Sequence, residues 1–252
     1  MPASPVCFLL DNGSLNPEAT LSLRRISASL GELTGQEVRP ISLLHSSSID
    51  PGLLGGRQAE IFEPALKRSA VRGSHDILVL PLFIGPSLAI TDYLPGRIRS
   101  IRTKFPELKV RVGPSLACGG ISGDRDLLEI LRDGVEGVIR DKGLHKPAVI
   151  LVDHGTPIRT VNAVRQRLRE QLAALLDERT SRLTAASMER REGEQYDFND
   201  PLLEKLLDRE GYCRGDVVIS MLFLLPGMHA GPGGDIETIC AEARKRHADL
   251  RR

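Results

Sequence analysis

The sequence predicts an α/β protein built from two similar lobes, each a mostly parallel sheet with helices on both faces. Three observations support this. Short apolar runs alternate with longer amphipathic stretches along the 252 residues. The runs are continuously apolar or β-branched, which is typical of strands that are covered on both faces. The same order of strands and helices also occurs twice along the chain. Alternation of strands and helices favours a parallel sheet.

Seven runs have the length and composition of buried strands. Each is a short run that is apolar or β-branched rather than strictly alternating, as expected of strands covered on both faces. The predicted strands are Val6–Leu10, Val38–Leu44, Ile77–Phe83, Val110–Val112, Ala148–Val152, Leu183–Ser187 and Val217–Leu225.

The clearest helix signal follows the fifth predicted strand. Thr156 is a good N-cap residue, and Pro157 suits the first helical position. Apolar residues then recur every three or four positions, which predicts one buried helix face. That face consists of Val161, Val164, Leu168, Leu172 and Leu175, while Arg165, Arg167, Arg169 and Glu170 are expected mostly on the other faces.

Two pairs of segments reveal the internal repeat. Val6–Ser14 resembles Val149–Thr156, and Asp76–Pro86 resembles Asp216–Pro226. The displacement is 142 positions for the first pair, from residue 11 to residue 153, and 140 for the second, from residue 76 to residue 216. We therefore expect an N-terminal lobe over 1–140, ending in a helical stretch, and a C-terminal lobe over 148–252. A hinge is expected at Asp141–Pro147, with a cleft between the lobes where ligand sites commonly form.

Composition excludes several functional classes. Lys and Arg number 34 against 33 Asp and Glu, so the net charge of +1 argues against binding nucleic acid or anionic membranes by bulk charge. The longest apolar run, Val217–Leu225, is shorter than the roughly 18 residues that a membrane helix needs. The run Val6–Leu10 is too short for a signal-peptide core. We expect a soluble, cytoplasmic protein.

The four cysteines are too far apart to form a C-x-x-C motif. We expect them to be free thiols in a reducing compartment rather than disulfides or a zinc knuckle. They are Cys7, Cys118, Cys213 and Cys240.

Three polar residues follow predicted strands of the second half. His154 follows Ala148–Val152, Glu189 follows Leu183–Ser187, and His229 follows Val217–Leu225. Ligands of open α/β sheets bind beyond the carboxyl ends of the strands, so these side chains are expected at one rim. A neutral imidazole is a common ligand of divalent metals and also transfers protons near neutral pH. The competing interpretation is that each is a solvated loop residue.

The glycines and arginines near these three residues have several possible roles. Gly231, Gly233 and Gly234 fit an anion cradle, a flexible lid or a turn that needs positive φ, and their spacing matches neither common nucleotide-binding fingerprint. Arg159, Arg190 and Arg191 could meet anionic groups, although a charged loop explains them equally well.

The second half resembles the class II chelatases of tetrapyrrole biosynthesis, the group of sirohydrochlorin cobaltochelatases and ferrochelatases. The resemblance rests on the opening strand with its His-Gly-Thr and Asn-Ala, on Met-Glu after the next strand, and on the Gly-Met-His and Asp-Ile that follow the third. The first half follows the same plan, including its Phe-Pro-Glu-Leu. The matching segments are Val152–Ala163, Met188–Glu189, Leu222–Leu224, Gly227–His229, Asp235–Ile236 and Phe105–Leu108.

The resemblance implies a chelatase, a lyase that inserts Co²⁺ or Fe²⁺ into sirohydrochlorin or a related tetrapyrrole, with no organic cofactor. It implies that His154 and His229 bind the incoming metal and that Glu189 accepts pyrrole protons. The chemistry is coherent because inserting a divalent ion expels two protons, so the site needs bases beside ligands that hold and then release the metal.

The first half departs from this pattern. Asp11–Ser14 and Gly85–Ala89 stand where the histidine segments would be, so we expect no second metal site there. That lobe is then expected to form one side of the cleft. Because one chain supplies both sides of the cleft, we expect a monomer. Two alternatives stay open: a non-catalytic carrier of metal or tetrapyrrole, and a phosphate-ligand enzyme that uses His154 with the glycine loop.

Overall fold

The computed structural model describes residues 5–117, 123–227, 229–231 and 233–251. Contacts divide the chain into two compact units, the first comprising residues 1–118 and 224–227, and the second 119–223 and 228–252. Each unit contains one four-stranded sheet in which all strands are parallel.

The first unit has a sheet of order β2-β1-β3-β4. Its core consists of apolar side chains such as Phe8, Leu10, Phe62 and Val79, which come from the strands and from the helices that follow them. The elements are β1 (Val6–Asp11), α1 (Pro17–Thr34), β2 (Val38–Ser42), α2 (Phe62–Val71), β3 (Asp76–Pro81), α3 (Leu94–Arg102) and β4 (Lys109–Val112).

The second unit has the corresponding order β6-β5-β7-β8. The corresponding strand orders confirm the predicted fold class, because each unit contains a four-stranded parallel sheet of the same topology. The elements are α4 (Gly123–Lys142), β5 (Ala148–Asp153), α5 (Arg159–Leu176), β6 (Arg182–Ser187), α6 (Leu203–Leu206), β7 (Gly215–Met221), α7 (Asp235–Arg246) and β8 (Leu250–Arg251).

Helix α4 falls in the second unit, whereas the repeat placed it in an N-terminal lobe ending at residue 140. It contacts α5 and β7. The Asp124 carboxylate near its start also accepts a hydrogen bond from Nε of Arg167 on α5, at 2.7 Å. Apolar burial and this ion pair attach α4 to the second sheet, so the division falls near residue 118 rather than at 141–147. Its buried apolar residues are Leu127, Leu128, Leu131 and Val135.

All seven predicted strands are present, with shifted ends. Strand β7 stops at Met221 rather than at Leu225, although Leu222 still donates its N–H to the carbonyl of Val152 at 2.7 Å. Strand β8 is not among the predicted strands. Its two residues pair with Gly215 and Asp216, and a strand of that length leaves no periodic signal.

Helix α5 begins later than predicted, at Arg159 rather than at Pro157. Ile158 is extended, with φ −113° and ψ 115°, and the hydroxyl of Thr156 accepts its N–H at 3.1 Å in a local turn. The buried face also differs at its end, because Leu176 is buried and Leu175 is 46% exposed. Arg165, expected on a solvated face, is 1% exposed.

Among the described residues, no disulfide joins two cysteines: Cys7 is buried, while Cys213 and Cys240 are half-buried. Cys118 lies outside the described residues. No helix in the ranges given above combines the length and apolar character needed to cross a membrane.

Candidate metal centre

The β5–β6 ladder continues past the strand ends and carries two candidate residues. Met188 donates its N–H to the carbonyl of Asp153 at 2.9 Å, and Glu189 donates to the carbonyl of His154 at 3.1 Å. This register sets His154 beside Glu189, and Nε2 of the imidazole lies 3.4 Å from Oε1 of the carboxylate. Both side chains are substantially exposed. The ladder therefore presents an imidazole and a carboxylate together at the rim of the sheet.

Gly155 makes this close approach possible. Its φ is +98°, and a Cβ at this position would lie 2.0 Å from the carbonyl oxygen of Glu189. That distance is far shorter than any van der Waals contact, and an L side chain rarely adopts this φ. Glycine is therefore required for His154 and Glu189 to sit side by side.

His229 reaches the same place from the loop after β7. Its ring centroid lies 4.5 Å from that of His154, with the planes at 65°. An imidazole nitrogen lies about 2.0–2.1 Å from a bound divalent metal such as zinc, so two imidazoles that share one ion must lie close together. The structure brings the two histidines together, as the sequence predicts.

The carboxylate of Asp235, which the sequence alone gives no role, orients His229. Oδ2 of Asp235 lies 2.6 Å from Nδ1 of the imidazole. An Nδ1–H donated to Asp235 leaves the Nε2 lone pair available to a metal, which is the usual arrangement of metal-binding histidines. Asp235 lies only six residues after His229 across a glycine-rich loop, and this short spacing is the signal that could have identified it.

The glycine loop forms a turn. Gly231 and Gly233 have φ values of +141° and +74°, and Gly234 donates its N–H to the carbonyl of Gly231 at 3.0 Å. The N–H of Gly233 is taken by the carboxylate of Glu237 at 2.7 Å. Of the three alternatives considered above, these contacts favour the turn, since a carboxylate of the chain itself occupies this backbone donor.

A buried ion pair holds the end of β5. Nη1 of Arg165 lies 3.0 Å from Oδ1 of Asp153, and the same carboxylate oxygen accepts the hydroxyl of Ser187 at 2.8 Å. Arg165 also donates to Ser187 and to the carbonyls of Phe198 and Asn199. The expectation that Arg165 faces solvent was wrong, because its charge is paired and hydrogen-bonded within the unit, as a buried charge requires.

The side chain of Asn199 connects two rim loops. Its Oδ1 accepts the N–H of Thr156 at 2.9 Å, and its Nδ2 donates to the carbonyl of Thr156 at 2.9 Å. Asn199 is fully buried. The segment that follows Glu189 is thereby fixed to the segment that follows His154.

The first unit repeats the backbone but carries other side chains. Leu43 and Leu44 donate their N–H groups to the carbonyls of Asp11 and Asn12, at 2.8 and 3.2 Å. Gly13 makes the same close approach as Gly155, since its Cβ would lie 1.8 Å from the carbonyl oxygen of Leu44. Asn12 and Leu44 thus hold the positions of His154 and Glu189.

The two imidazoles offer nitrogen ligands to a divalent ion, and the adjacent carboxylate offers a proton acceptor beside them. Within the described residues, no group of three or more His, Cys, Asp and Glu side chains is arranged so that it could hold a metal ion. The roles of His154, Glu189 and His229 as metal ligands and base therefore stay predictions at this point.

No protein-family model and no curated protein matches the chain. Solved structures resemble almost all of it. SirB from Bacillus subtilis with Fe³⁺ gives a TM-score of 0.66 at 13% identity, over 98% of this chain and 86% of that one. The sirohydrochlorin chelatase SirB from Bacillus subtilis subspecies spizizenii, in complex with cobalt, gives 0.64 with the same identity and coverage. This likeness shows that the chain shares their fold, which confirms the fold that the resemblance implied.

Proposed function

We propose that this protein is a chelatase that inserts a divalent metal ion, cobalt or ferrous iron, into sirohydrochlorin or a related tetrapyrrole. The observation that carries the proposal is that two residues at strand ends, His154 and Glu189, meet His229 from the loop after β7. His154 and His229 have ring centroids 4.5 Å apart, and Glu189 lies 3.4 Å from the imidazole of His154. The fold shared with SirB structures that contain iron or cobalt supports the same reaction class.

Each residue has a distinct task in this proposal. The metal substrate binds to the imidazoles of His154 and His229, which hold cobalt or ferrous iron less tightly than a cage of thiolates would. Glu189 accepts the protons that leave the pyrrole nitrogens as the metal enters the macrocycle. Asp235 holds His229 in the tautomer that presents Nε2. No organic cofactor takes part in these steps.

The enzymatic test measures metal insertion directly. Purified protein is incubated with sirohydrochlorin and Co²⁺, and the absorbance change is compared with the metal-only reaction. We expect a wild-type rate above that background and its loss in His154→Ala and in His229→Ala. His145→Ala removes an exposed histidine from the α4–β5 connection and should keep the wild-type rate. A wild-type rate equal to the background would refute the proposed reaction.

A carrier without turnover is the second candidate, favoured by the first unit, where Asn12 and Leu44 replace the site residues. It predicts stoichiometric binding of metal or tetrapyrrole without product, so multiple turnovers exclude it. The phosphate-ligand alternative has less support, because Glu237 occupies the N–H of Gly233. It predicts thermal stabilisation by phosphorylated metabolites and not by cobalt.

We also propose that the chain is monomeric and acts in the cytoplasm. A monomer has a mass of 27.6 kDa, which light scattering measures in solution. A mass of twice that value would contradict the monomer.

A further inference from the structure

Two arginines at the rim of the second unit stack on aromatic rings. The guanidinium carbon of Arg159 lies 4.7 Å from the ring centroid of Phe198, and that of Arg191 lies 6.0 Å from that of Tyr196. Both arginines are exposed. Among the residues that the structure describes, no carboxylate forms an ion pair with either of them.

Arg190, their neighbour in sequence, is arranged differently. Its side chain is largely buried and lies 2.8 Å from a carboxylate oxygen of Asp197 and 3.3 Å from one of Asp200. It also donates to the carbonyl of Gly193 at 3.2 Å. The charge of Arg190 is therefore used to hold the loop, while the charges of Arg159 and Arg191 face solvent.

The two rings belong to a segment that is fixed to the candidate site. Tyr196 and Phe198 contact each other edge to face, with centroids 6.5 Å apart. Arg165 donates to the carbonyl of Phe198, and the next residue, Asn199, is hydrogen-bonded to Thr156. Thr156 lies two residues after His154, and Arg191 lies two residues after Glu189. The stacked arginines thus lie on the same rim as the proposed metal ligands.

Stacking on a ring restricts a guanidinium without using its N–H groups. A guanidinium held over an aromatic ring interacts through its charge and keeps its N–H donors available for other partners. Such a fork binds a carboxylate with two parallel hydrogen bonds, and less side-chain freedom is lost on binding when the fork is already held. Two such forks beside one site suit a ligand that carries several carboxylates.

We infer that Arg159 and Arg191 bind acidic side groups of the tetrapyrrole and so select macrocycles with many carboxylates. This inference rests on the proposed function. Phe198 and Tyr196 act as positioning residues, because they hold the two guanidinium groups and do not themselves contact the carboxylates.

The test uses the whole 252-residue chain and compares its binding of two porphyrins that differ in carboxylate number. Fluorescence quenching measures the Kd of an octacarboxylate porphyrin (uroporphyrin) and of a dicarboxylate porphyrin (mesoporphyrin). We expect Arg159→Gln and Arg191→Gln each to weaken octacarboxylate binding about tenfold, which is the loss of one charge-assisted contact. Binding of the dicarboxylate should change less than about twofold. Arginine-to-lysine variants should recover part of the octacarboxylate affinity.

Arg182 provides the matched control. It also stacks on an aromatic ring, that of Tyr212 at 5.6 Å, but it opens β6 and so lies at the opposite end of the sheet. Arg182→Gln should bind both porphyrins as the wild type does. In turnover with sirohydrochlorin, the Arg159 and Arg191 variants should raise KM and keep kcat, with unchanged Co²⁺ binding.

Three results would overturn the inference: octacarboxylate binding by both rim variants that equals the wild type, an equal loss for both porphyrins, or an equal loss in Arg182→Gln. Failure of the proposed function gives a different result. The wild-type protein would then form no metallated product, while its preference for the octacarboxylate porphyrin would still depend on Arg159 and Arg191.

Discussion

Asp11 and Asp153 hold the same position in the two copies of the repeat but have different partners. Asp153 is paired with Arg165, whereas Leu23 occupies the corresponding position of α1. Arg24, one residue later, donates to the carbonyls of Leu54 and Arg57 and so binds loop carbonyls as Arg165 does. Burial raises the pKa of Asp11 to about 6, while hydrogen bonds, first among them that of Ser42, act in the opposite direction.

This raised pKa makes the first unit less stable at neutral pH. The folded pKa of about 6 exceeds the unfolded value of 3.8, so the folded state binds the proton more tightly. The contribution of Asp11 to the free energy of unfolding falls as the pH rises from about 4 to about 6 and stays low above that. One oxygen of this carboxylate, Oδ1, finds no hydrogen-bond partner among the described residues, which is consistent with the cost of ionising it.

Asp11→Asn should therefore stabilise the protein at pH 7.5, by roughly 1–3 kcal/mol, because the neutral amide avoids the buried charge. The gain should shrink towards pH 4.5, where the wild-type carboxyl is protonated. Urea unfolding at the two pH values measures this difference. The matched change Asp153→Asn removes the partner of Arg165. It should lower the free energy of unfolding at both pH values, by roughly 3–5 kcal/mol. An Asp11→Asn effect of the same size at both pH values would contradict the assignment.

Asp235 gives the second prediction at this scale. Asp235→Asn should weaken Co²⁺ binding roughly 10- to 100-fold, because the amide no longer holds His229 as a carboxylate does. Titration of the visible absorption of bound cobalt measures the affinity. Glu237→Gln changes the other acid of the same turn, which contacts the N–H of Gly233, and should bind cobalt as the wild type does. Equal Co²⁺ affinities of Asp235→Asn and Glu237→Gln would show that Asp235 does not orient His229.

At the scale of elements, the site depends on how β5 and β6 end. The ladder between them extends through Glu189, and Gly155 lets the two backbones approach. The sequence indicated the strands and the histidine that follows one of them. It did not indicate that Thr156 closes a turn and delays α5 to Arg159, because Asn199, 43 residues away, holds Thr156.

Gly155→Ala tests this arrangement. A methyl group 2.0 Å from the carbonyl of Glu189 should force the strand ends apart and weaken Co²⁺ binding at least about tenfold. It should also lower stability by more than the 1–2 kcal/mol or so that a left-handed backbone costs alanine. Gly215→Ala is the matched control, since Gly215 has φ +75° and no atom lies within 4 Å of the place that its methyl group would take. It should show the backbone penalty alone and keep cobalt affinity, so equal cobalt binding in both variants would argue against the role of Gly155.

At the scale of the whole molecule, the repeat was the most informative feature of the sequence. Offsets of 142 and 140 residues predicted two equivalent parallel sheets, and both are observed. The repeat could not show which sheet α4 packs against, because an amphipathic pattern does not identify the surface that buries it. It also could not show that Arg165 is buried, since a helical pattern assigns an arginine to solvent unless its partner is known.

The proposed function rests on side chains that follow three separate strands, β5, β6 and β7. The first and last of His154, Glu189 and His229 lie 75 positions apart in the sequence, and parallel pairing brings the ends of the preceding strands to one rim. The sequence identified these three residues from their places after strands. Asp235 and the stacked arginines needed the folded loops, because their partners depend on turns whose geometry leaves no periodic pattern.

The most direct measurement is a crystal structure of the protein soaked in cobalt, with anomalous diffraction recorded at the cobalt edge. We predict one strong peak within bonding distance of ring nitrogens of both His154 and His229, and its loss in His229→Ala. A peak that contacts neither imidazole, or a wild-type crystal with no peak between them, would contradict the assignment of this rim as the metal centre.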